Sequence, residues 1–159
     1  MESVFDRWRA ELLHVGRIVQ HDEIDRSVSQ PEAEARCRRY CELVEALSGA
    51  EGQRYALAVV ESVQVDDDYE VYQITFRALA RFDSRSRCVA VLHELPRLIR
   101  TLPDQAGDLL VGNITDEDVP IFNALLHESP TEDQHVIRSF IAEQERPGGW
   151  LDAEQGRLG

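Results

Sequence analysis

Apolar residues recur at intervals of three and four along nearly the whole chain, the period of a buried helix face. Val4, Phe5, Trp8, Leu12, Val15, Ile18 and Val19 make the first such stripe. A polar break at 21–29 follows. Ser29, Gln30, Pro31 and Glu32 then form a helix start signal, a capping side chain with proline in the first turn. The second helix turns Cys37, Tyr40, Cys41, Val44 and Leu47 inward and stops at Ser48 and Gly49, since glycine accepts the left-handed conformation that ends helices. A third helix is predicted over 50–63, with Tyr55, Leu57, Ala58, Val60 and Val63 available for packing. Asp66, Asp67 and Asp68 read as turn and cap for a fourth helix over 67–82, because carboxylates accept the free N–H groups of a helix start and oppose its dipole. Its inward set is Val71, Ile74, Thr75, Ala78, Leu79 and Phe82.

Asp83 and Ser84 cap a fifth helix whose apolar set is Val89, Leu92, Leu95, Leu98, Ile99 and Leu102. Pro96 lies inside that pattern and predicts a kink or a split near Glu94. Pro103 and Asp104 open a sixth helix carrying Ala106, Leu109, Leu110 and Ile114. Thr115 and Asp116 cap a seventh with Val119, Phe122, Leu125 and Leu126, and Ser129, Pro130, Thr131 and Glu132 open an eighth with Val136, Ile137, Phe140 and Ile141. Pro147, Gly148 and Gly149 end it. Residues 148–159 are Gly-rich and polar, so they read as a flexible tail that frays, with Trp150 and Leu151 able to fold back. Two segments, 58–65 and 70–76, are rich in β-branched and aromatic residues, but their caps and spacing favour helix over strand. The expected fold is all-α with about eight helices, antiparallel hairpins stacked as a HEAT-like solenoid or an irregular bundle, in a single domain over 1–147. No strict period repeats along the chain.

Composition narrows the function. The chain has 159 residues, a hydrophobic fraction of 43% and a formal net charge of −13. A chain this acidic repels phosphate backbones and anionic bilayers, so neither nucleic acid nor a membrane is expected as a partner. All 17 basic residues are Arg. The amphipathic N-terminus lacks the basic start and apolar run of a signal peptide, and no apolar run approaches the length of a membrane span. Three cysteines form an odd set, which fits reduced thiols and a cytoplasmic location.

Candidate catalytic chemistry is sparse. His14 and His21 lie seven apart, His127 and His135 flank a Ser-Pro turn, and His93 stands beside Glu94, but none builds the two-His-plus-Glu pattern of a zinc hydrolase helix. Cys37 and Cys41, at i and i+4, would supply half a tetrahedral site with no second pair, and read as core thiols around Tyr40. Counting a calcium loop from Asp66 puts Val71 at the sixth place and Arg77 at the twelfth, where Gly and Glu are needed. There is no Gly-rich phosphate cradle, no Lys for a phosphate and no Gly-x-Ser-x-Gly. The sequence therefore predicts a binding protein, with no cofactor, metal or catalytic residue, in preference to an enzyme.

The charge is unevenly spread: −3 over 1–50, −1 over 51–100 and −9 over 101–159. Asp104, Asp108, Asp116, Glu117, Asp118, Glu128, Glu132, Asp133, Glu143 and Glu145 have only Arg138 as a counter-charge within their own stretch. Helix starts explain two or three of them. Clustering of the rest would speed encounter with a cationic partner and reject anionic ones. The expected partner-binding residues are Asp66, Asp67, Asp68, Glu70, Asp104, Asp108, Asp116, Glu117, Asp118, Glu128, Glu132 and Asp133. The competing view of the same carboxylates is a solvated acidic surface.

The stretch from Tyr55, Ala56, Leu57, Ala58, Val59, Val60 and Glu61 through 67–82 to Leu92, His93, Glu94, Leu95, Pro96, Arg97, Leu98 and Ile99 resembles the immunity protein 30 family of bacterial polymorphic-toxin and contact-dependent inhibition systems. The resemblance is patchy, covers about residues 50–145, and rests on helix-packing patterns. It implies a cytoplasmic antidote that binds and blocks a cognate toxin domain. Many such toxins are nucleases or other enzymes with basic clefts, which an acidic antidote can occupy by mimicking the substrate's charge. The alternative is a helical-repeat adaptor or scaffold for another protein, which would offer a groove lined by apolar residues in place of carboxylates.

Overall fold

The computed structural model describes residues 3–18, 28–66 and 70–159. Among them the chain is all-helical: α1 (Val4–Gly16), α2 (Gln30–Glu45), α3 (Gln53–Glu61), α4 (Tyr72–Leu79), α5 (Ser84–Thr101), α6 (Pro103–Asn113), α7 (Val119–Glu128), α8 (Thr131–Gln144) and a short 3-10 turn at Asp152–Glu154. The two segments with strand-like composition contribute to α3 and α4, and the described residues between those helices, 62–66 and 70–71, form turn and irregular chain without strand. No helix among the described residues is long and apolar enough to cross a membrane. The chain divides into two compact units, residues 1–82 and 83–159.

In the first unit α1 packs on α2 and α3, and α4 packs on α2 and α3. The helix α1 starts with a reciprocal cap: Asp6 N donates to Ser3 Oγ at 3.1 Å and Ser3 N donates to the Asp6 carboxylate at 3.1 Å. Ser29 caps α2 as its sequence promised, accepting from Glu32 N at 3.4 Å. The buried face of α2 is Ala33, Tyr40, Leu43 and Val44, which leaves Cys37 and Cys41 half-buried at its edge instead of inside. Two tyrosines then lock the unit. Tyr40 Oη lies 2.9 Å from Ser62 Oγ and 2.6 Å from Thr75 Oγ1, with all three residues buried. Tyr72 Oη donates to the Gly16 carbonyl at 2.9 Å and accepts from Gln64 N at 2.9 Å. Gly16 is where α1 passes closest: a Cβ there would stand 2.9 Å from the Ser62 carbonyl oxygen and 3.0 Å from Tyr40.

Several boundaries differ from the periodic pattern. The third helix begins at Gln53, because Gly49 and Gly52 both take positive φ and hold the chain in a turn. The fourth begins at Tyr72 with no side-chain cap, so Asp66 does not serve as its cap; Asp67 and Asp68 lie outside the described residues. Val19, the last residue of the first apolar stripe, and His21 also lie outside them.

In the second unit α5 is the central element, packing on α6, α7 and α8. Asp83 caps it, accepting from Ser86 N at 2.9 Å and Ser86 Oγ at 2.6 Å. Pro96 does not split it. The 18-residue helix runs through to Thr101, since Leu95, Pro96 and Leu98 are all buried and packing outweighs one lost ladder bond. Residues 148–159, expected to fray, lie against the helices: Leu151 and Leu158 are buried, Gly159 N donates to Asn123 Oδ1 at 2.9 Å, and Arg138 donates to the Gly159 carbonyl. Trp150 folds back onto Gly107 of α6, where a Cβ would come within 2.5 Å of the indole.

Tyr40→Phe leaves the Thr75 hydroxyl without its 2.6 Å partner inside the core. A loss of about 1–2 kcal/mol is expected in urea unfolding, while Ser62→Ala costs less, since Tyr40 keeps Thr75.

Candidate protein-binding site

The ten carboxylates between 104 and 145 do not share one face. Asp118, expected to be a surface contact, is 0% exposed and belongs to the core of the second unit. Arg87 Nη2 donates to both of its oxygens, at 2.7 and 2.8 Å, and Thr115 donates from N at 3.0 Å and from Oγ1 at 2.8 Å. Burial raises the Asp118 pKa, but hydrogen bonds from Ser84, Arg87 and Thr115 together outweigh it and hold the carboxyl at about 2. This also corrects the start of the seventh helix. Thr115 and Asp118 close a turn on each other, so the helix begins at Val119 and Asp116 is not its cap.

Arginines from outside the stretch reach into it. Arg157 Nη1 donates to Asp116 at 2.9 Å, and Arg100 Nη2 donates to Glu132 at 3.3 Å. Both carboxylates stay open to water, at 93% and 84% side-chain exposure, so these pairs hold them loosely. Glu145 accepts from Gly156 N at 2.9 Å. Asp108 is half-buried and engaged; Asp66 and Glu70 of the first unit are exposed but also engaged, and Glu70 takes a φ of 65°. Asp104, Glu117, Glu128, Asp133 and Glu143 make no side-chain hydrogen bond or ion pair among the described residues.

Asp104 opens α6 and Glu143 lies in the last turn of α8, and helix α7 separates the acids beside it into two groups. Ten residues at 1.5 Å each span about 15 Å. Asp116 and Glu117 lie before its start, where Arg157 is stationed. Glu128, Glu132 and Asp133 lie at the other end, at the corner where α7 hands over to α8. Gln134 Nε2 fastens that corner by donating to the His127 carbonyl at 2.9 Å and the Ser129 carbonyl at 2.8 Å.

A cavity of about 350 Å³ opens at the same corner between α5, α7 and α8, lined by Val89, Leu92, His93, Leu125, Ser129, Pro130 and Asp133. The spacing had assigned Val89, Leu92 and Leu125 to inner faces. Leu92 and Leu126 are buried, but Val89 and Leu125 are only half-buried and form the walls. The signal was the adjacent pair Leu125 and Leu126, which point about 100° apart on a helix, so that one of them leaves the core. His93 is 67% exposed on its side chain and sits with Nδ1 3.0 Å from Glu94, a buried carboxylate that also accepts from Arg97 Nε at 2.6 Å.

Reactive chemistry gains little from this arrangement. Burial and the neighbouring Cys37 push the Cys41 thiol up to about 11, and burial with the Asp118 charge pushes Cys88 to about 12, so both are poor nucleophiles near neutral pH. Among the described residues no group of three or more His, Cys, Asp or Glu is arranged to hold a metal ion.

Compared with known proteins, the chain matches no family model, no curated protein and no solved structure.

Asp118 has its pKa lowered from 3.8 to about 2 in the folded chain, so its contribution is complete above pH 4 and disappears as pH falls towards 2. That shift corresponds to about 2 kcal/mol. Asp118→Asn is expected to lower urea stability at pH 7 by about that amount, because the Arg87 charge keeps only a neutral acceptor, and to flatten the stability curve between pH 4 and 2. Asp118→Ala, which strips Arg87 of its partner, costs about 3–5 kcal/mol.

Proposed function

We propose that this chain is a binding protein that captures a basic protein partner at the α7–α8 corner, and that the partner is a toxin domain to which it is the antidote. The observation that carries the reading is the company the corner carboxylates keep. Glu128 and Asp133 have no internal partner among the described residues, Glu132 is largely exposed, and Asp133 lines an apolar cavity, with Glu128 and Glu132 each next in sequence to a lining residue or to Asp133 itself. Solvated charge alone needs no such neighbour. A negative rim around an apolar centre supplies both attraction at a distance and area to bury on contact. The second unit as a whole holds fourteen carboxylates against seven arginines, which favours cationic partners. The toxin assignment rests on the resemblance to the immunity protein 30 family and on this charge.

The apolar walls also favour the second reading, an adaptor that docks a partner chiefly by hydrophobic contact. The two separate on salt. Capture by the rim makes the association rate fall by about tenfold as salt is raised from low to physiological strength and beyond, whereas hydrophobic docking leaves it nearly constant.

In cells expressing the toxin domain encoded beside this chain, survival is expected only when the chain is co-expressed. Glu128→Lys combined with Asp133→Lys should abolish protection, and Glu117→Lys at the far end of α7 should not. Survival without the chain rejects the antidote reading; protection that persists in the double variant removes the corner from it.

A further inference from the structure

The cavity between α5, α7 and α8 goes one step beyond a charged docking face, because its chemistry describes the segment that would fill it. Its walls are Val89, Leu92, Leu125 and Pro130, and its polar edge is Asp133 with His93 and Ser129. Ser129 Oγ is already committed, donating to the Leu125 carbonyl at 2.9 Å, and His93 Nδ1 is held by Glu94. Asp133 is therefore the edge group left with an unused charge: it is half-buried against the apolar wall and makes no hydrogen bond or ion pair among the described residues. A carboxylate partly removed from water and lacking a donor is stabilised by an incoming cation. About 350 Å³ lies at the small end of ligand sites, roughly 300–1,000 Å³, and suits one aromatic or two aliphatic side chains.

We propose that this cavity is an anchor pocket for a basic amphipathic segment of a protein partner, one that inserts an apolar side chain between α5 and α7 while a Lys or Arg one helical turn away pairs with Asp133. The proposal rests on the reading that the α7–α8 corner docks a basic protein, and it adds what that protein must present. An apolar anchor without charge leaves Asp133 desolvated and unpaired, and a charge without an anchor leaves the walls wet. Both features are needed on the same face of one segment, as in helix-in-groove recognition.

Three short synthetic peptides test this: leucine and lysine at amphipathic helical spacing, the same peptide with glutamate for lysine, and the same peptide with serine for leucine. Binding to the full chain is read by fluorescence anisotropy, and amide shifts of the isotope-labelled protein locate it. The leucine–lysine peptide is expected to bind at least tenfold more tightly than either of the others and to shift amides around 89–93 and 125–133. Leu125→Ala and Asp133→Asn should each weaken it by about tenfold, equivalent to about 1.4 kcal/mol. Glu117→Gln and Glu143→Gln should leave it unchanged. All four substituted positions are half-buried or exposed, and unchanged far-ultraviolet dichroism and melting confirm that the variants fold. Equal binding of the two lysine peptides, untouched by the groove variants, overturns the anchor pocket and leaves the acidic docking reading standing. Binding of neither lysine peptide overturns both.

Discussion

The second unit is organised around one ion pair in its interior, Arg87 with Asp118. Arg87 lies in the first turn of α5 and Asp118 immediately before α7, so the bidentate contact sets how these two helices meet. Removing two charges from water is costly, and the attraction between them compensates only when the remaining lone pairs are also occupied. Asp118 meets that condition through Thr115 and Ser84. The same carboxylate thereby closes the turn that launches α7. Helix α7 supplies Leu125 to the cavity and ends at the corner carboxylates, so the geometry of the candidate site depends on a pair that is itself not part of the surface.

Net charge describes this surface poorly. A formal −9 over the last third suggests a uniform field, but the arginines that moderate it come partly from elsewhere in sequence. Arg87 and Arg100 belong to α5, and Arg157 belongs to the segment that folds back after α8. Their effects differ with burial. The pair at Asp118 removes that residue from any docking role, whereas the pairs at Asp116 and Glu132 are exposed and leave the field near them largely intact. Of what remains, Asp116, Glu117, Glu128, Glu132 and Asp133 lie at the two ends of α7, while Asp104 opens α6 and Glu143 lies in the last turn of α8. An apolar cavity accompanies the acids of the α7–α8 corner, and this coincidence, more than acidity alone, distinguishes it.

The helices were legible because their apolar period is strong and several starts carry an unambiguous cap, as at Ser29 and Asp83. The failures have physical causes. Pro96 reads as a break locally, but Leu95 and Leu98 gain enough burial to carry the helix through. Asp116, Glu117 and Asp118 are equivalent as letters, and only the position of Arg87, some thirty residues earlier, decides which of them turns inward. Residues 148–159 look like a tail by their glycine content, but Leu151 and Leu158 find apolar seats and the glycine at 107 admits Trp150. The candidate site combined both kinds of information: its acids were visible as a cluster, while its apolar walls were hidden among residues whose spacing assigned them to the core.

The proline in α5 has a mechanical consequence for that wall. Leu92 lines the cavity, and its carbonyl is the one that an amide at position 96 would have bonded; proline has no N–H to offer. One side of the cleft is thus built on a helix with a missing rung, next to walls whose ladders carry no such gap. Helices flex most cheaply at such places. Bending is therefore cheapest in α5, where it would admit a guest of slightly different bulk while Gln134 keeps the α7–α8 corner fastened.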